Sequence, residues 1–395
     1  MTDFAPNRTA ALTRLHDFLP RAGRAYAAGR NTDTGPGTRG HVSGLSPYIR
    51  HRVLSEPEVL RSVLNRHSAQ AAEKFIQEVF WRSYWKGWLE MRPGVWRQYQ
   101  AGVTRALDDV QTQSGLRHAW ETACTGATGI ACFDAWAREL TATGYLHNHV
   151  RMWFASIWIF TLRLPWELGA DFFLRHLLDG DPASNTLSWR WVAGIQTPGK
   201  TYLARPDNIA RHTEGRFRPA TGELAEVAPP LSGPPLPESA VLPTMEPLDP
   251  GKPSVLLLHE DDLDPGWILS QGIAPLSLGL LAPRQTYSPL LMSPKVLEFR
   301  KALGADAAER WSGRFGPARQ DLETPDDITR WAKEQGAGQI VTAHAPTGPV
   351  ADVLAQVPDI PVIRCKRPYD QRAWPHATAG FFKFRNKIPE LLGAL

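Results

Sequence analysis

The sequence predicts an α + α/β chain, in which an all-helical part is followed by a C-terminal doubly wound α/β part. Before residue 227, apolar residues recur at helical spacing and no convincing strand interrupts them. Residues 228–253 then hold nine prolines in 26 positions, a density that excludes a helix or a central strand. After this stretch, short apolar runs alternate with helical segments, which is typical of a parallel sheet flanked by helices.

These changes of pattern also predict the domain boundaries. We expect a helical domain over residues 1–227, a proline-rich linker over 228–253 that lies along a surface, and an α/β domain over 254–395 with four or five strands. The segments predicted as helices are 75–89, 128–143, 148–164, 170–178, 296–303 and 326–335. The segments predicted as strands begin at Ser254, Gly279, Gln339 and Pro361.

Composition and charge exclude several classes of protein. With 43% hydrophobic and 21% charged residues and no apolar run of about 18 residues, the sequence predicts a globular protein without a membrane span. The start lacks a signal-peptide pattern and the three cysteines lack metal-ligand spacing, so we expect a cytoplasmic protein without a metal site. Residues 1–227 carry 27 basic against 21 acidic side chains, and residues 228–395 carry 17 against 19. A basic first part is compatible with a polyanionic partner.

The segment 141–191 places polar residues within apolar, aromatic-rich sequence. Asn148 and Arg151 share one face of a predicted helix. Asp179 and Asp181 lie in a glycine-containing turn that follows another helix. Because buried polar groups are costly unless something binds them, this segment predicts the wall of a large, polar-edged cofactor site.

Two upstream pieces complete the candidate site. Glu78, Trp81 and Arg82 share a face of the helix predicted over 75–89. Residues 41–48 offer hydroxyl and backbone N–H groups before a helix start, which suits a pyrophosphate. Taken singly, each piece has an ordinary explanation, such as core packing for tryptophans or a helix cap for the Asp-Gly-Asp turn. Their joint occurrence favours a binding site.

Four strings, in this order, carry a family resemblance. They are SGLSPYI at 43–49, QEVFWRSYW at 77–85, TGYLHNHVRM at 143–152 and LDGDPASNTLSWRWVAG at 178–194. Over residues 26–210 the chain resembles the FAD-binding domain of the photolyase/cryptochrome family. The resemblance implies a helical domain that holds FAD folded into a U, with the adenine beneath the isoalloxazine ring.

The resemblance also implies which residues contact FAD. In the family pattern Arg151 pairs with Asp179 beside the flavin, and Asn185 faces flavin N5. A neutral amide at this position can favour anionic reduced flavin, which points toward repair chemistry. The implied cofactor-binding residues are Tyr26, Ser43, Gly44, Leu45, Ser46, Arg82, Asn148, Arg151, Asp179, Asp181 and Asn185.

The implied substrate is DNA that contains a pyrimidine dimer. Reduced flavin excited by blue light would donate one electron to a flipped-out cyclobutane dimer, the ring would split and the electron would return. Asn148 and Met152 replace the histidines of enzymes that act on 6–4 lesions. The residues implied to hold the lesion are Glu78, Trp81, Asn148, Met152 and Trp191. The inner positions of the family's electron-transfer chain are matched by Trp189 and Trp166.

The sequence departs from the family pattern at several positions. Val42 and Gly44 replace the usual threonine and a more polar residue in the phosphate loop. His149 stands where DNA-repairing members commonly have arginine, which binds phosphate more strongly. No tryptophan lies between positions 96 and 120, where the outermost member of the electron-transfer chain is expected. Alternative exits are Trp120, Trp153 and Trp158.

Domain order and the C-terminal half leave alternatives open. Family members usually begin with an α/β antenna domain, so residues 254–395 are interpreted as a possible rearranged antenna domain with an unknown second chromophore. The block 374–385 combines aromatic and basic residues, and it either closes the sheet (our default), folds back on the first domain or contacts nucleic acid. The alternative function is a cryptochrome-like blue-light photoreceptor with a protein partner. A third is a redox flavoprotein without light function.

Overall fold

The first part of the chain is built from α-helices. The computed structural model describes residues 4–37, 40–245, 247–282 and 287–395, and within its described part before residue 254 no strand forms. The expectation that the chain starts without a leader rests in part on residues 1–3, which lie outside the described residues. The helices are α1 (Arg8–Phe18), α2 (Arg24–Gly29), α3 (Ser46–Arg50), α4 (Glu56–Leu64), α5 (Glu73–Glu90), α6 (Gly94–Thr112), α7 (Ser114–Thr125), α8 (Ala131–Thr143), α9 (Asn148–Ser156), α10 (Trp166–His176), α11 (Pro182–Val192) and α12 (Pro206–His212).

Local sequence explains where the helices nearest the candidate site begin and end. Asp181 caps α11, since its Oδ1 accepts a hydrogen bond from the N–H of Ser184 at 2.7 Å and a proline follows at the first helical position. The helix predicted over 148–164 is interrupted, because α9 continues only as a π-helical turn (Ile157–Thr161). Arg163 then adopts a positive φ of 54° and ends the segment.

The proline-rich stretch follows the surface of the helical part. Its described residues form no helix or strand. The N–H of Ala240 donates to the carbonyl of Met91 at 2.7 Å, and the N–H of Leu231 donates to the carbonyl of Ala193 at 3.0 Å. The apolar side chains contribute unevenly, since Leu231 and Leu242 pack against the core whereas Val241 is 88% exposed. Backbone hydrogen bonds and these partly buried leucines together attach the stretch.

The second part of the chain is a five-stranded parallel sheet flanked by helices. The strands are β1 (Ser254–His259), β2 (Leu278–Leu281), β3 (Arg319–Leu322), β4 (Gln339–Ala343) and β5 (Val362–Cys365), in the order β3-β2-β1-β4-β5. The remaining helices are α13 (Gly266–Leu269), α14 (Pro294–Phe315), α15 (Pro325–Glu334), α16 (Pro349–Leu354), α17 (Pro368–Ala373), α18 (Phe381–Arg385) and α19 (Ile388–Gly393). The predicted α + α/β fold class, with its doubly wound sheet, is confirmed.

The carboxyl edge of the sheet packs against the helical part. In an open α/β sheet the ligand crevice lies where the strand order reverses, which here is between β1 and β4. His51, just after α3, reaches this edge, and its Nδ1 lies 2.7 Å from the carbonyl oxygen of Glu260. Glu90, at the end of α5, accepts a hydrogen bond from His344 Nε2 at 2.8 Å. The apolar core runs from the helices into one face of the sheet. Because the two parts share this core, it does not mark where one domain ends and the next begins, and the domain boundaries stay a prediction.

The C-terminal block folds back on the helical part rather than only closing the sheet. Trp374 lies so close to α5 that a Cβ at Gly87 would stand 2.8 Å from its Cα atom. The Tyr84 hydroxyl donates to the carbonyl of Ala379 at 2.8 Å. Helix α18 then packs against α5 through Phe381 and Phe384. The default interpretation, that this block closes the sheet, was wrong, because the main contacts of the block are with α5.

The described ranges hold no candidate membrane span and no candidate metal cluster. There, no helix combines the length and the apolar character that crossing a bilayer requires. Over those same residues, no group of three or more histidine, cysteine, aspartate or glutamate side chains converges in a way that suits a metal ion.

Candidate functional site

The loop before α3 brings one end of the candidate site into place. Gly44 has a φ of +62°, and a Cβ there would lie 2.7 Å from Arg14 Nη1, so both backbone and space favour glycine. This explains why a larger side chain is missing from the loop. Ser43 Oγ accepts from the N–H of Leu45 at 3.3 Å, and Leu45 is fully buried. Ser46 begins α3.

Tyr26 lies apart from that loop's polar groups, in an aromatic cluster. Its ring makes edge contacts with Phe18, at a centroid distance of 5.7 Å, and with Phe75, at 5.3 Å. Burial raises the pKa of Tyr26, and the nearby Glu78 raises it further. The hydroxyl therefore stays protonated and remains a hydrogen-bond donor.

The Asp-Gly-Asp turn joins three predicted cofactor-binding residues. Arg151 Nη2 donates to Asp179 Oδ2 at 2.9 Å, and its Nε donates to the carbonyl of Leu146 at 3.0 Å. Burial alone would raise the pKa of Asp179, but Arg151, the Ser46 hydroxyl and Arg82 together lower it. The carboxylate is therefore ionised, with arginine on one side and the loop before α3 on the other.

Asp181 lies in a more strongly cationic environment. Its Oδ2 is 3.8 Å from Lys86 Nζ and 3.8 Å from Arg50 Nε. Burial opposes ionisation, yet Lys86, Arg50 and Arg82 hold the pKa of Asp181 well below its ordinary range. This turn therefore presents two fixed negative charges on a buried surface.

Several polar atoms around this turn lack a hydrogen-bond partner in the described part of the chain, although one of them, Lys86 Nζ, forms the ion pair with Asp181. They are buried, and they include Arg82 Nη1, Lys86 Nζ and Asp179 Oδ1. Two of them come from α5, where residues four apart share a face. Unpaired buried donors and acceptors are unfavourable by about 1–3 kcal/mol each, so this cluster fits a bound polar group. FAD, with its ribityl, phosphate and flavin-edge groups, provides such a group.

Asn185 is held in one orientation by the helix beside it. Its Nδ2 donates to the carbonyl of Ala170 at 2.7 Å, and the residue is 8% exposed. With the amino group engaged in this way, the amide oxygen is the group that can accept a hydrogen bond from a ligand. This suits the N–H of a reduced flavin.

The residues predicted to hold a lesion come from three helices. On α5, Glu78 forms an ion pair with Arg30, and burial raises the pKa of Glu78. The Trp81 ring stacks on Phe381 at a centroid distance of 3.6 Å and an interplanar angle of 12°. Both side chains therefore already have protein partners.

The other lesion residues lie on α9 and α11. Asn148 is exposed at the start of α9, and Met152 is half-buried one turn later. Trp191, near the end of α11, stacks on Tyr202 at a centroid distance of 5.7 Å. α11 packs against both α5 and α9, which brings the three helices to one region. Among the described residues, no ring contact or hydrogen bond links Trp81 directly to Trp191.

The predicted electron-transfer residues are buried, and they meet different neighbours. Trp189 makes an edge contact with Trp158 at a centroid distance of 6.2 Å. Trp166 lies 5.8 Å from Tyr99, whose ring lies 5.2 Å from Trp96. Sequence reasoning looked only for tryptophans between 96 and 120, and so it missed Tyr99. The i, i+3 spacing of Trp96 and Tyr99 on α6 was the signal that pointed to this pair.

His149 is half-buried and faces protein groups. Its Nε2 is 3.4 Å from Asn208 Oδ1, and its ring is 4.7 Å from that of Trp153. Burial lowers the pKa of His149 to about 4. At neutral pH the imidazole is therefore uncharged, which removes the cation that an arginine would supply.

One arginine missed by sequence reasoning connects the turn to the sheet. Arg50 Nε donates to the carbonyl of Gly180 at 2.8 Å, and its Nη1 donates to Asp261, two residues after β1. The side chain is fully buried. The acidic run after β1 and the arginine after SGLSPYI were visible in the sequence, but nothing there indicated that they meet.

Comparison with known proteins gives consistent results for the helical part. Residues 75–215 match the family model described as the FAD binding domain of DNA photolyase. A deoxyribodipyrimidine photo-lyase of Thermus thermophilus is 34% identical over 204 residues, which is 50% of this chain and 45% of that protein. That of Streptomyces griseus is 34% identical over 199 residues, 47% of this chain and 40% of that protein.

Other relatives match over a similar extent. The Neurospora crassa deoxyribodipyrimidine photo-lyase is 31% identical over 200 residues, 49% of this chain and 31% of that protein. A class III photolyase structure from Agrobacterium tumefaciens aligns with a TM-score of 0.45 and 29% identity, covering 54% of this chain and 44% of that one. The chain thus spans less than half the length of these relatives. Its residues 75–215 are similar to the FAD-binding domain of DNA photolyases.

Proposed function

We propose that this chain uses FAD and blue light to split cyclobutane pyrimidine dimers in DNA. The observation that carries the proposal is the neutral amide of Asn185, held by the Ala170 carbonyl on a helix capped by Asp181. An amide oxygen there can accept a hydrogen bond from reduced flavin without adding negative charge beside it. The names of the curated relatives, all deoxyribodipyrimidine photo-lyases, support the same reaction.

In this proposal the buried charges hold and orient the cofactor. Arg151 and Asp179 would bind the polar edge of the flavin, and Ser46 would link that edge to the phosphate loop. Arg82 Nη1 and Lys86 Nζ contribute donors that lack a hydrogen-bond partner in the described chain. When bound, FAD supplies an electron to the lesion under light and recovers it after the ring opens.

The lesion would be held by side chains on α5, α9 and α11. Glu78 would accept a hydrogen bond from a base, which requires that it exchange Arg30 for the substrate. Trp81 and Trp191 would stack bases, each contributing about 1–3 kcal/mol. Met152 and Asn148 would form the floor between them. Extrusion of the dimer from the DNA duplex is favoured because the damaged base step is already poorly stacked.

Repair of a defined lesion tests this proposal. The FAD-loaded protein is reduced, mixed with an oligonucleotide that contains one thymine dimer and illuminated, while recovery of thymine absorbance is followed. Turnover in light and none in the dark is expected. Glu78→Gln should lower turnover with FAD content unchanged, whereas Glu73→Gln, at an exposed position on the same helix, should behave as the wild type. No turnover by protein that photoreduces normally would overturn the proposal.

A photoreceptor role is the second candidate, and one observation favours it. The Glu78–Arg30 ion pair and the Trp81–Phe381 stack engage two lesion-binding side chains with the protein itself. In the dark a sensor would keep these contacts. The light-driven change of the flavin would then alter them. Photoreduction without dimer repair, together with a light-dependent change in the fluorescence of Trp81, would favour this role over repair.

A further inference from the structure

The C-terminal helix α18 is anchored to α5 by two aromatic side chains. Phe381 is 5% exposed and stacks on Trp81, and Phe384 is fully buried 5.6 Å from Tyr84 and 6.2 Å from Phe80, measured between ring centroids. Residues three apart lie on one face of a helix. The residues between and after these anchors are therefore directed away from α5.

The outward side of α18 combines an exposed aromatic ring with two cations. Phe382 is 73% exposed, the highest value among the large aromatic side chains of the described residues. Lys383 and Arg385 are also exposed, and the Arg385 guanidinium lies 5.4 Å from the centre of the Phe382 ring. Neither cation forms an ion pair with a described carboxylate. We call Phe382, Lys383 and Arg385 the α18 surface.

Phe382 and the two cations form one exposed patch that is partly apolar and partly basic. A single exposed ring is ordinary on a protein surface, and it is the ring together with the cations that distinguishes this patch. Polynucleotides match both components, since phosphates pair with the cations and unpaired bases stack on the ring.

The location of this surface indicates which nucleotides would reach it. Phe381 stacks on Trp81, so the α18 surface begins one residue beyond the side chain that a flipped base would replace on that ring. Nucleotides flanking that base would pass over Phe382. The neutral His149 cannot supply the phosphate contact that arginine makes elsewhere in the family, and cations on α18 would supply it from another element.

We propose that the α18 surface binds the DNA strand that flanks the lesion, with Lys383 and Arg385 on phosphates and Phe382 stacked on an unpaired base. The inference rests on the proposed function for its choice of DNA and for the base on Trp81. Its occupant is a polynucleotide, and an acidic protein segment is the alternative that the experiment excludes or reveals.

Equilibrium binding by the FAD-loaded protein tests the inference. Two single-stranded oligonucleotides, one undamaged and one with a thymine dimer, are titrated at several salt concentrations. Lys383→Glu/Arg385→Glu should weaken binding roughly tenfold or more and reduce the slope of log K against log salt by about 1.4, because two phosphate contacts are lost. Phe382→Ala should weaken binding about tenfold with little change in slope.

A matched variant controls for net charge. Lys301→Glu/Arg314→Glu makes the same charge change at exposed positions of α14, and it should keep the wild-type slope. Equal slopes for the two double variants would overturn the inference, as would a wild-type protein that binds neither oligonucleotide, which leaves an acidic protein segment as the occupant.

The inference and the proposed function can fail separately. If the wild type binds DNA through the α18 surface but repairs no dimer, the proposed reaction falls and the binding surface stands. If the wild type repairs dimers and the α18 double variant repairs and binds as the control does, the surface falls and the reaction stands. Unchanged FAD absorbance in each variant shows that the fold around the cofactor site is intact.

Discussion

The turn at 178–181 and the outer face of α5 were both predicted as functional, yet they differ in what satisfies their side chains. At the turn, Asp179 meets the expected Arg151 and Asp181 meets Lys86, which was not predicted, while buried atoms such as Asp179 Oδ1 lack a hydrogen-bond partner in the described chain. On α5, Glu78 and Trp81 are already engaged by Arg30 and Phe381. The first region keeps buried hydrogen-bonding groups available to a ligand, whereas on α5 a ligand would have to replace protein contacts.

We expect the largest effect on FAD content from removing the charge at Asp179. A small effect there would mean that the turn at 178–181 and the outer face of α5 do not differ as described. Asp179→Ala leaves Arg151 without its buried partner, and loss of one member of such a pair is unfavourable by about 3–5 kcal/mol. We expect most of the FAD to be lost, measured as flavin per protein after purification. Asp179→Asn, of nearly the same size, covers the case in which the alanine variant does not fold.

Asp108→Ala, at an exposed position of α6, is the control for that measurement. It should retain full flavin content. An Asp179→Ala protein with unchanged loading and an unchanged flavin spectrum would mean that the cofactor lies elsewhere.

Removing Phe381 should destabilise the chain without emptying the cofactor site. Phe381→Ala deletes a buried ring, so the free energy of unfolding should fall by about 3 kcal/mol in denaturant titrations. FAD content should stay near the wild-type value, because the contact lies on the far side of α5 from Lys86. Phe382→Ala, at a ring 73% exposed, should change stability by less than about 0.5 kcal/mol. Loss of flavin from Phe381→Ala would show that the turn at 178–181 depends on the contacts at the outer face of α5.

The aromatic side chains Trp166, Tyr99 and Trp96 allow a test of electron transfer to the proposed cofactor site. Trp166→Phe should lose most of its flavin photoreduction, and Tyr99→Leu should lose part of it, because Tyr99 lies between the rings of Trp166 and Trp96. Time-resolved absorption of the bound flavin measures both rates. Trp311→Phe on α14 is the control. Normal rates in Tyr99→Leu would direct attention to Trp158, the ring that contacts Trp189.

The smallest effect concerns pH. Burial lowers the pKa of His149 from 6.5 to about 4, so the unfolded chain binds a proton between these values that the folded chain does not. Stability contributed by the neutral ring is therefore complete above pH 6.5 and is lost as pH falls toward 4. His149→Asn should show a smaller fall in the free energy of unfolding over this range. Burial also lowers the pKa of His147 and His176 to about 4, so part of the slope should remain.

Sequence predicted most of what depends on neighbouring residues. Four of the five strands follow from local patterns. The Arg151–Asp179 pair, 28 positions apart, was implied by the family resemblance. A helix cap was only the ordinary explanation of the Asp-Gly-Asp turn, and α11, which Asp181 caps, was not predicted. β3 was missed because it is a short edge strand whose first three residues are exposed and polar, without apolar periodicity. Local composition carries little information about such strands.

The contacts of α5 could not be predicted for a different reason. Phe381 follows Trp81 by 300 positions, and the block that contains it suited three placements in composition. Arg50 and Asp261 are likewise 211 positions apart. Pairings at such separations depend on how the sheet packs on the helices, which no single motif encodes.

Arg50 has one further consequence. The same guanidinium holds the Gly180 carbonyl of the cofactor turn and a carboxylate that follows β1. A change that loosens the turn therefore loosens the seam between helices and sheet. Protein that has lost FAD should therefore open at this seam sooner than loaded protein does, and limited proteolysis of the two forms would detect the difference as earlier cleavage.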